Sequence, residues 1–260
     1  MKIATYNVWN EKNGKGNRFN QLIKEIKTVD ADIIALQEVT EHFFKNHLTT
    51  ELDYKYCEFR QYRNEDEGLA ILSKYEIKDS FFLNTSEDFS YSAAINVVFQ
   101  VGELKYSFTN VHLPWDSAKI KEQQIVAIDR YIHEHKEQVD WSILLGDFNG
   151  SLNSSVHRYL LGEQTINDAE SKPYWFEVSS TYAEINKLML KPTLDFLNNP
   201  RWGGKNTIEI PIAVDRIYIL NNWYDVDIKS VEIFGTDISA SNGLSASDHY
   251  GVITDVDFAK

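Results

Sequence analysis

The chain has one cysteine, Cys57, in 260 residues. No intramolecular disulfide can close, no disulfide-linked partner is expected, and no thiolate cluster can bind zinc. Long apolar runs are missing as well. None exceeds four residues, so no segment reads as a membrane span, which takes about 20. The opening residues, Met1 to Asn7, turn polar too early for the apolar centre of a secretory leader, and the expected location is the cytoplasm. Basic residues are outnumbered, 26 Lys and Arg against 39 Asp and Glu, for a net charge of −13. That balance disfavours a protein whose main affinity is for nucleic-acid backbone, because such binding runs on Lys and Arg neutralising phosphates. Phosphate handled through a cation stays open. No repeat, heptad, low-complexity tract or Ser/Gly-rich linker divides the chain, so one domain over residues 1–260 is expected.

What is present is a mixture of strand and helix patterns. A chain of this size buries roughly 70–75% of its unfolded surface and needs no metal or disulfide to hold a core. Lys2 to Val8 alternates like a strand. Phe19, Leu22, Ile23 and Ile26 fall on one helical face behind Asn17 as N-cap. Ile33 to Leu36 is a short continuous apolar run, as a strand covered on both faces would be. Strand patterns follow near 54–62, 68–73, 75–83, 93–101 and 104–111. A long helix carrying Ile125, Ile128 and Ile132 starts at Asp116 or Ser117. Ser142 to Leu145 is another buried strand, Val156 to Leu160 a short helix, and strands resume near 213–220, 225–234 and 249–257. Gly162 to Pro211 holds four of the five prolines and reads as mostly loop. The expected class is α/β and layered, with antiparallel pairing among the middle strands.

Several of these strands begin or end in an acid, an amide or an imidazole. Asn7 closes the first, Glu38 the second, His112 a middle one, and Asp147 with Asn149 the one after the long helix. Asp215 opens the strand Arg216-Ile217-Tyr218-Ile219, and Asp248 with His249 introduces the last. Each alone has an ordinary explanation as a turn, a helix cap or a satisfied loop residue. Sheets align strand ends, so together they can converge on one rim. Carboxylates and amides without thiols suit a hard cation, Mg²⁺ or Mn²⁺, that shares its remaining positions with a phosphate. His42, His47, His133, His135 and His157 are assigned to surface or structure.

Seven segments, in order, resemble the endonuclease/exonuclease/phosphatase superfamily with its deoxyribonuclease I-like fold. They are Thr5-Tyr6-Asn7-Val8, Leu36-Gln37-Glu38-Val39, Glu67-Gly68-Leu69-Ala70-Ile71-Leu72-Ser73, Asn110-Val111-His112-Leu113, Gly146-Asp147-Phe148-Asn149, Asp215-Arg216-Ile217 and Ser247-Asp248-His249. The resemblance implies a four-layer sandwich of two central mixed β-sheets flanked by helices. It implies that Glu38 is the principal metal ligand, with Asn7 and Asp248 near the metal. Asp147 would orient or deprotonate the attacking water, Asn149 would donate to the phosphate, and His249 paired with Asp215 would stabilise charge or act as base. His112 would be a second phosphate-handling histidine and Glu67 a supporting acid.

The implied activity is divalent-metal-dependent phosphodiester hydrolysis, with nucleic acid among the candidate substrates. A phosphomonoesterase acting on a sugar or inositol phosphate, and a non-catalytic binding protein on the same fold, are the alternatives. Lys12, Lys15 and Arg18 would form a basic rim or a solvated loop. Trp115, Trp175 and Trp202 would stack a ring at the mouth of the site or pack a loop against the sheet edges.

Overall fold

The computed structural model describes residues 1–10, 18–63, 65–84, 93–203 and 208–259. Twelve strands form two six-stranded sheets. The first is ordered β11 (Val226–Phe234), β12 (Gly251–Phe258), β1 (Lys2–Asn7), β2 (Ile33–Thr40), β4 (Glu67–Ser73), β3 (Tyr56–Gln61). The second is ordered β5 (Ile77–Asn84), β6 (Ala93–Val101), β7 (Leu104–His112), β8 (Trp141–Asp147), β10 (Asp215–Leu220), β9 (Trp175–Glu177). Each sheet contains one parallel pair, β1 with β2 and β7 with β8; the other pairings are antiparallel.

A parallel pair needs a long crossover. Helix α1 (Arg18–Val29) provides it between β1 and β2, and α4 (Ala118–His135) between β7 and β8. Helix α4 starts where Ser117 Oγ accepts from the Ile120 amide at 3.3 Å. The expected Asn17 cap lies outside the described residues, as do Lys12 and Lys15. Short helices complete the chain: α2 (Glu41–Phe43) and α3 (Thr49–Glu51) joined by a π-turn, α5 (Ser155–Leu160) and α6 (Val178–Asn186). Among the described residues no helix is long and apolar enough to cross a membrane.

Alternation along the strands builds the layers. Ile3, Ile33, Ala35, Ile143, Leu145 and Ile217 face the interior between the sheets. Their neighbours Ala4, Ile34 and Leu36 pack outward against Leu22, Ile23 and Ile26 of α1. Leu144 and Tyr218 pack outward against Ile125, Ile128 and Ile132 of α4. Helix, sheet, sheet, helix is therefore the order of layers. A buried amide network ties the sheets together. Gln37 Nε2 donates to Asn110 Oδ1 at 2.7 Å, and Asn110 Nδ2 donates to the carbonyls of Leu36 and Ala70, both at 2.9 Å.

Two expectations need refinement. The segment 162–211 is mostly loop as expected, but it also contains β9 and α6. A three-residue edge strand leaves too short a pattern to read, and α6 is capped by Glu177, whose carboxylate accepts from the Ser179 and Ser180 amides at 3.2 and 2.6 Å. The second strand also does not close at Glu38 but runs on to Thr40 through a register shift between Leu36 and Val39.

Gly146 holds the parallel pair β7/β8 in contact. Its φ is +139°, and a Cβ there would lie 1.9 Å from the Val111 carbonyl oxygen. Gly146→Ala is expected to destabilise the fold by about 3 kcal/mol or more, through a backbone clash and an unfavourable φ together. Urea unfolding measures this; an unchanged midpoint would show that the strands can move apart without loss.

Candidate active site

The topology gathers the polar residues by a simple rule. Parallel strands β1, β2, β7 and β8 all end at the same rim, and the antiparallel strands beside them begin there. Asn7 ends β1, Glu38 sits in the bulge near the end of β2, and His112 and Asp147 end β7 and β8. Glu67 opens β4, Asp215 opens β10, and His249 lies two residues before β12. Asp147 is in register with both His112 and Asp215.

Asn7 joins the two sheets. Its Nδ2 donates to Glu38 Oε1 at 2.9 Å and to Asp147 Oδ2 at 3.0 Å, while its Oδ1 accepts from the Trp9 amide at 2.9 Å. A carboxamide binds a hard cation through oxygen, and this oxygen, with one hydrogen bond, keeps a second lone pair. Asn7, expected near the metal, also donates through Nδ2 to two acids and so orients them.

Glu38 sits in the bulge of β2 with φ +57°. A bulge re-aims a side chain, and a non-glycine residue at positive φ marks a backbone held against its preference. Glu38 Oε2 accepts from the Asn10 amide at 3.0 Å, and Asn10 Nδ2 reaches Glu67.

His249 Nδ1 donates to Asp215 Oδ2 at 3.0 Å and lies 3.9 Å from Asp147 Oδ2. Burial by itself works against the imidazolium, but Asp215 and Asp147 outweigh it and hold the His249 pKa well above its ordinary value. His112 Nε2 is 3.7 Å from Asp147 Oδ2 and 3.9 Å from Glu38 Oε1. Burial pushes the Glu67 carboxyl up to about 7, with repulsion from Glu38 adding to it. Burial likewise pushes Asp248 up to about 6, against the opposing pull of His249. Acids this crowded gain from a bound cation.

Among the described residues one group brings its donors close enough together to suit one. Asp147, Asp215 and His249 each offer a ligand atom within 4.8 Å of the others, but the His249 Nδ1 proton is already shared with Asp215. Glu38, near enough to Glu67 and to Asp248 to raise the pKa of each, offers oxygen alone, the preference of Mg²⁺ and Mn²⁺.

Asn149 has φ +45°; its amide donates to Asp147 Oδ1 at 2.8 Å and its Nδ2 to the Leu113 carbonyl at 2.9 Å. It fixes the aspartate and the loop after β7, which leaves one amide hydrogen for a phosphate. Trp202 lies beside the site, its Nε1 donating to the Asp248 carbonyl at 3.0 Å. Trp115 is 80% exposed on the loop after His112. Trp175 is not brought to the site at all. It is wholly buried, and its Nε1 donates to Asp129 Oδ1 at 2.7 Å. Arg18 joins no solvent-facing basic rim either, being buried with its guanidinium on the carbonyls of Val8 and Trp9.

Other residues in the site escaped the sequence reading. Asn10 bridges Glu38 and Glu67. Ser247 Oγ donates to the Asn7 carbonyl at 2.7 Å and accepts from the His249 amide at 3.2 Å. Thr193 Oγ1 accepts from the Val214 and Asp215 amides at 3.0 and 3.1 Å. Lys121 Nζ reaches the Asn149 carbonyl, and burial lowers its pKa. Asn10 and Ser247 each lie within three residues of an identified group, which is the only local signal they carry. Thr193 and Lys121 carry none.

Known proteins share this architecture. A Bacteroides vulgatus endonuclease/exonuclease/phosphatase has a TM-score of 0.77 at 17% identity, covering 100% of this chain and 99% of its own. D. rerio TDP2 complexed with single strand DNA product has a TM-score of 0.75 at 15% identity, covering 99% and 98%. In sequence the chain is similar to a probable CCR4-Not complex 3′-5′-exoribonuclease subunit Ccr4 of Vairimorpha ceranae. The two are 26% identical over 219 residues, 70% of this chain and 46% of that protein. The chain thus spans about half the length of the curated relative it matches. The family profile aligns with residues 4–249, and with that agreement of sequence, fold and rim chemistry the chain belongs to the Endonuclease/Exonuclease/phosphatase family, whose members are hydrolases such as nucleases and phosphodiesterases.

Proposed function

We propose that the protein is a divalent-metal-dependent phosphodiester hydrolase, formed as one catalytic unit across the chain. The observation that carries this reading is the bridge from Asn7 Nδ2 to both Glu38 and Asp147, with the Asp215–His249 pair beside Asp147. It assembles an acid fit for a cation, an acid fit for a water and a cationic donor from four different strands and a loop. Nucleic acid is the favoured substrate class. Two similar proteins support it: the D. rerio TDP2 neighbour is complexed with single strand DNA product, and the Ccr4 relative is a probable exoribonuclease subunit. Trp115 and Trp202 supply rings at the rim on which a base can stack.

Glu38, with Glu67 and Asp248 beside it, would hold Mg²⁺ or Mn²⁺, which when bound neutralises charge on the non-bridging phosphate oxygens. The rest follows from the chain's own groups. Asp147 Oδ2 accepts the proton of a water placed between it and the phosphorus. Its other oxygen is held by the Asn149 amide, so the carboxylate cannot rotate away. His249, held as imidazolium by Asp215, donates from Nε2 to the phosphoryl oxygen as negative charge develops there. As the bond from phosphorus to the ester oxygen breaks, that oxygen leaves and takes up a proton from water; His112 and the remaining Asn149 amide hydrogen add further donors on the second sheet's side.

Hydrolysis of bis(p-nitrophenyl) phosphate is expected with Mg²⁺ or Mn²⁺ and is expected to vanish with chelator. Glu38→Gln and His249→Ala should each lower turnover by on the order of 10² or more. Near wild-type turnover in Glu38→Gln would refute the metal assignment.

The pH dependence has a definite sign. The folded pKa of His249 lies above its unfolded value, so the pair's stabilisation is complete below about 6.5 and is lost as pH rises through the elevated pKa. In Asp215→Asn the main opposing carboxylate is gone and burial pulls the pKa down. The NMR titration of the His249 ring and the alkaline limb of the rate profile should both move to lower pH in that variant. An unmoved alkaline limb would separate His249 from the reaction.

A further inference from the structure

Lys121 stands in the first turn of α4, where its amide donates to the Ser117 carbonyl at 3.0 Å. A cation is poorly placed there, because the N-terminal end of a helix is the positive end of its dipole. The side chain is also partly buried, and burial lowers its pKa, working against the ammonium. Asp147 and Asp116 are close enough to oppose that effect. A lysine kept against both helix dipole and desolvation needs a partner that uses its charge.

That partner is the loop after β8. Lys121 Nζ donates to the Asn149 carbonyl oxygen. Asn149 is also the residue whose backbone amide donates to Asp147 Oδ1 at 2.8 Å and whose Nδ2 donates to the Leu113 carbonyl at 2.9 Å. It is thus held at three points, and each fixes something different. The Nδ2 bond ties it to the loop after β7. The amide bond stops the Asp147 carboxylate from turning. The Lys121 bond fixes the carbonyl, and with it the Asn149 ψ. The φ of Asn149 is +45°, a region that residues with side chains enter at a cost. Release of the carbonyl would let the residue relax toward a common conformation and swing its amide off Asp147.

The two residues lie 28 positions apart, so the bond carries the position of an outer-layer helix into the rim. A bond from an ammonium to a carbonyl is charge-assisted and about twice as strong as one between neutral groups. An apolar side chain could fill the same space against α4, but it could not hold the carbonyl.

We propose that Lys121 is a positioning residue for hydrolysis, holding the Asn149 carbonyl so that Asn149 keeps Asp147 turned toward the attacking water. The inference rests on the hydrolase reading and adds to it a residue outside the strand ends. Measurement of kcat and KM for bis(p-nitrophenyl) phosphate with Mg²⁺ in the full chain tests it, with the Asn149 amide resonance as a structural readout. Lys121→Met keeps the apolar stem and removes the ammonium. It is expected to lower kcat about tenfold or more, as misplacement of a reacting group does, with KM within about twofold of wild type and the Asn149 amide signal displaced. Lys121→Arg supplies a charged donor again and should return kcat to within about threefold of wild type. Lys121→Gln, a neutral donor, should lose kcat in the same sense as Lys121→Met and carries the test if the urea midpoint shows Lys121→Met to be unfolded. Wild-type kcat in Lys121→Met or Lys121→Gln, a loss that Lys121→Arg leaves unrestored, or a change confined to KM would each overturn the positioning role while metal-dependent turnover by the wild type stands. Absence of turnover by the wild type would instead overturn the hydrolase reading, and the inference with it.

Discussion

The arrangement at the rim rests on one amide. Glu38 and Asp147 belong to different sheets, and two carboxylates close together repel unless something between them donates. Asn7 does so with both hydrogens of its Nδ2, while the Trp9 amide fixes its other face. Burial sharpens this requirement, because Asn7 and Asp147 are fully removed from water and an unmet charge there would be expensive. The same side chain thus closes the end of the sandwich and sets the relative position of the two acids.

The strand directions explain why so many groups reach that place. A parallel pair in each sheet delivers its C-terminal ends to the rim, and its antiparallel neighbours start from it. The position where one strand leaves the core is thereby the position where the next enters. Below the rim the Gln37–Asn110 network and the apolar interior lock the sheets in register. Three non-glycine residues at the rim, Trp9, Glu38 and Asn149, have positive φ, as do five described residues elsewhere. A rigid scaffold with local strain at its edge is how binding groups are held in place before a ligand arrives.

The same stiffness shapes the opposite end. Strand β10 contributes Asp215 to the acid cluster and leads directly into Asn221 and Trp223 at its other end. The chemistry of the two ends differs sharply: crowded acids and imidazoles at one, balanced charges and exposed rings at the other.

Alternation and helical spacing in the sequence determined most strands, helices α1, α4 and α5, and the layered class, because burial on one face writes itself into residue order. The polar residues at strand ends were legible too, since an acid or amide where an apolar run stops is conspicuous. What needed the tertiary structure was every decision made by contact across distance. Trp175 reads like any aromatic in an irregular segment, and only packing against Asp129 makes it core. Arg18 reads as part of a basic loop, and only the carbonyls of Val8 and Trp9 turn it inward. Helix α6 was hidden because its cap is a glutamate and its neighbouring strand has three residues. Asn7 reads as an amide at a strand end, but whether its oxygen or its nitrogen faces the acids depends on hydrogen bonds to residues 31 and 140 positions away. Local pattern records which face is buried; the partner met there is settled only when distant strands come together.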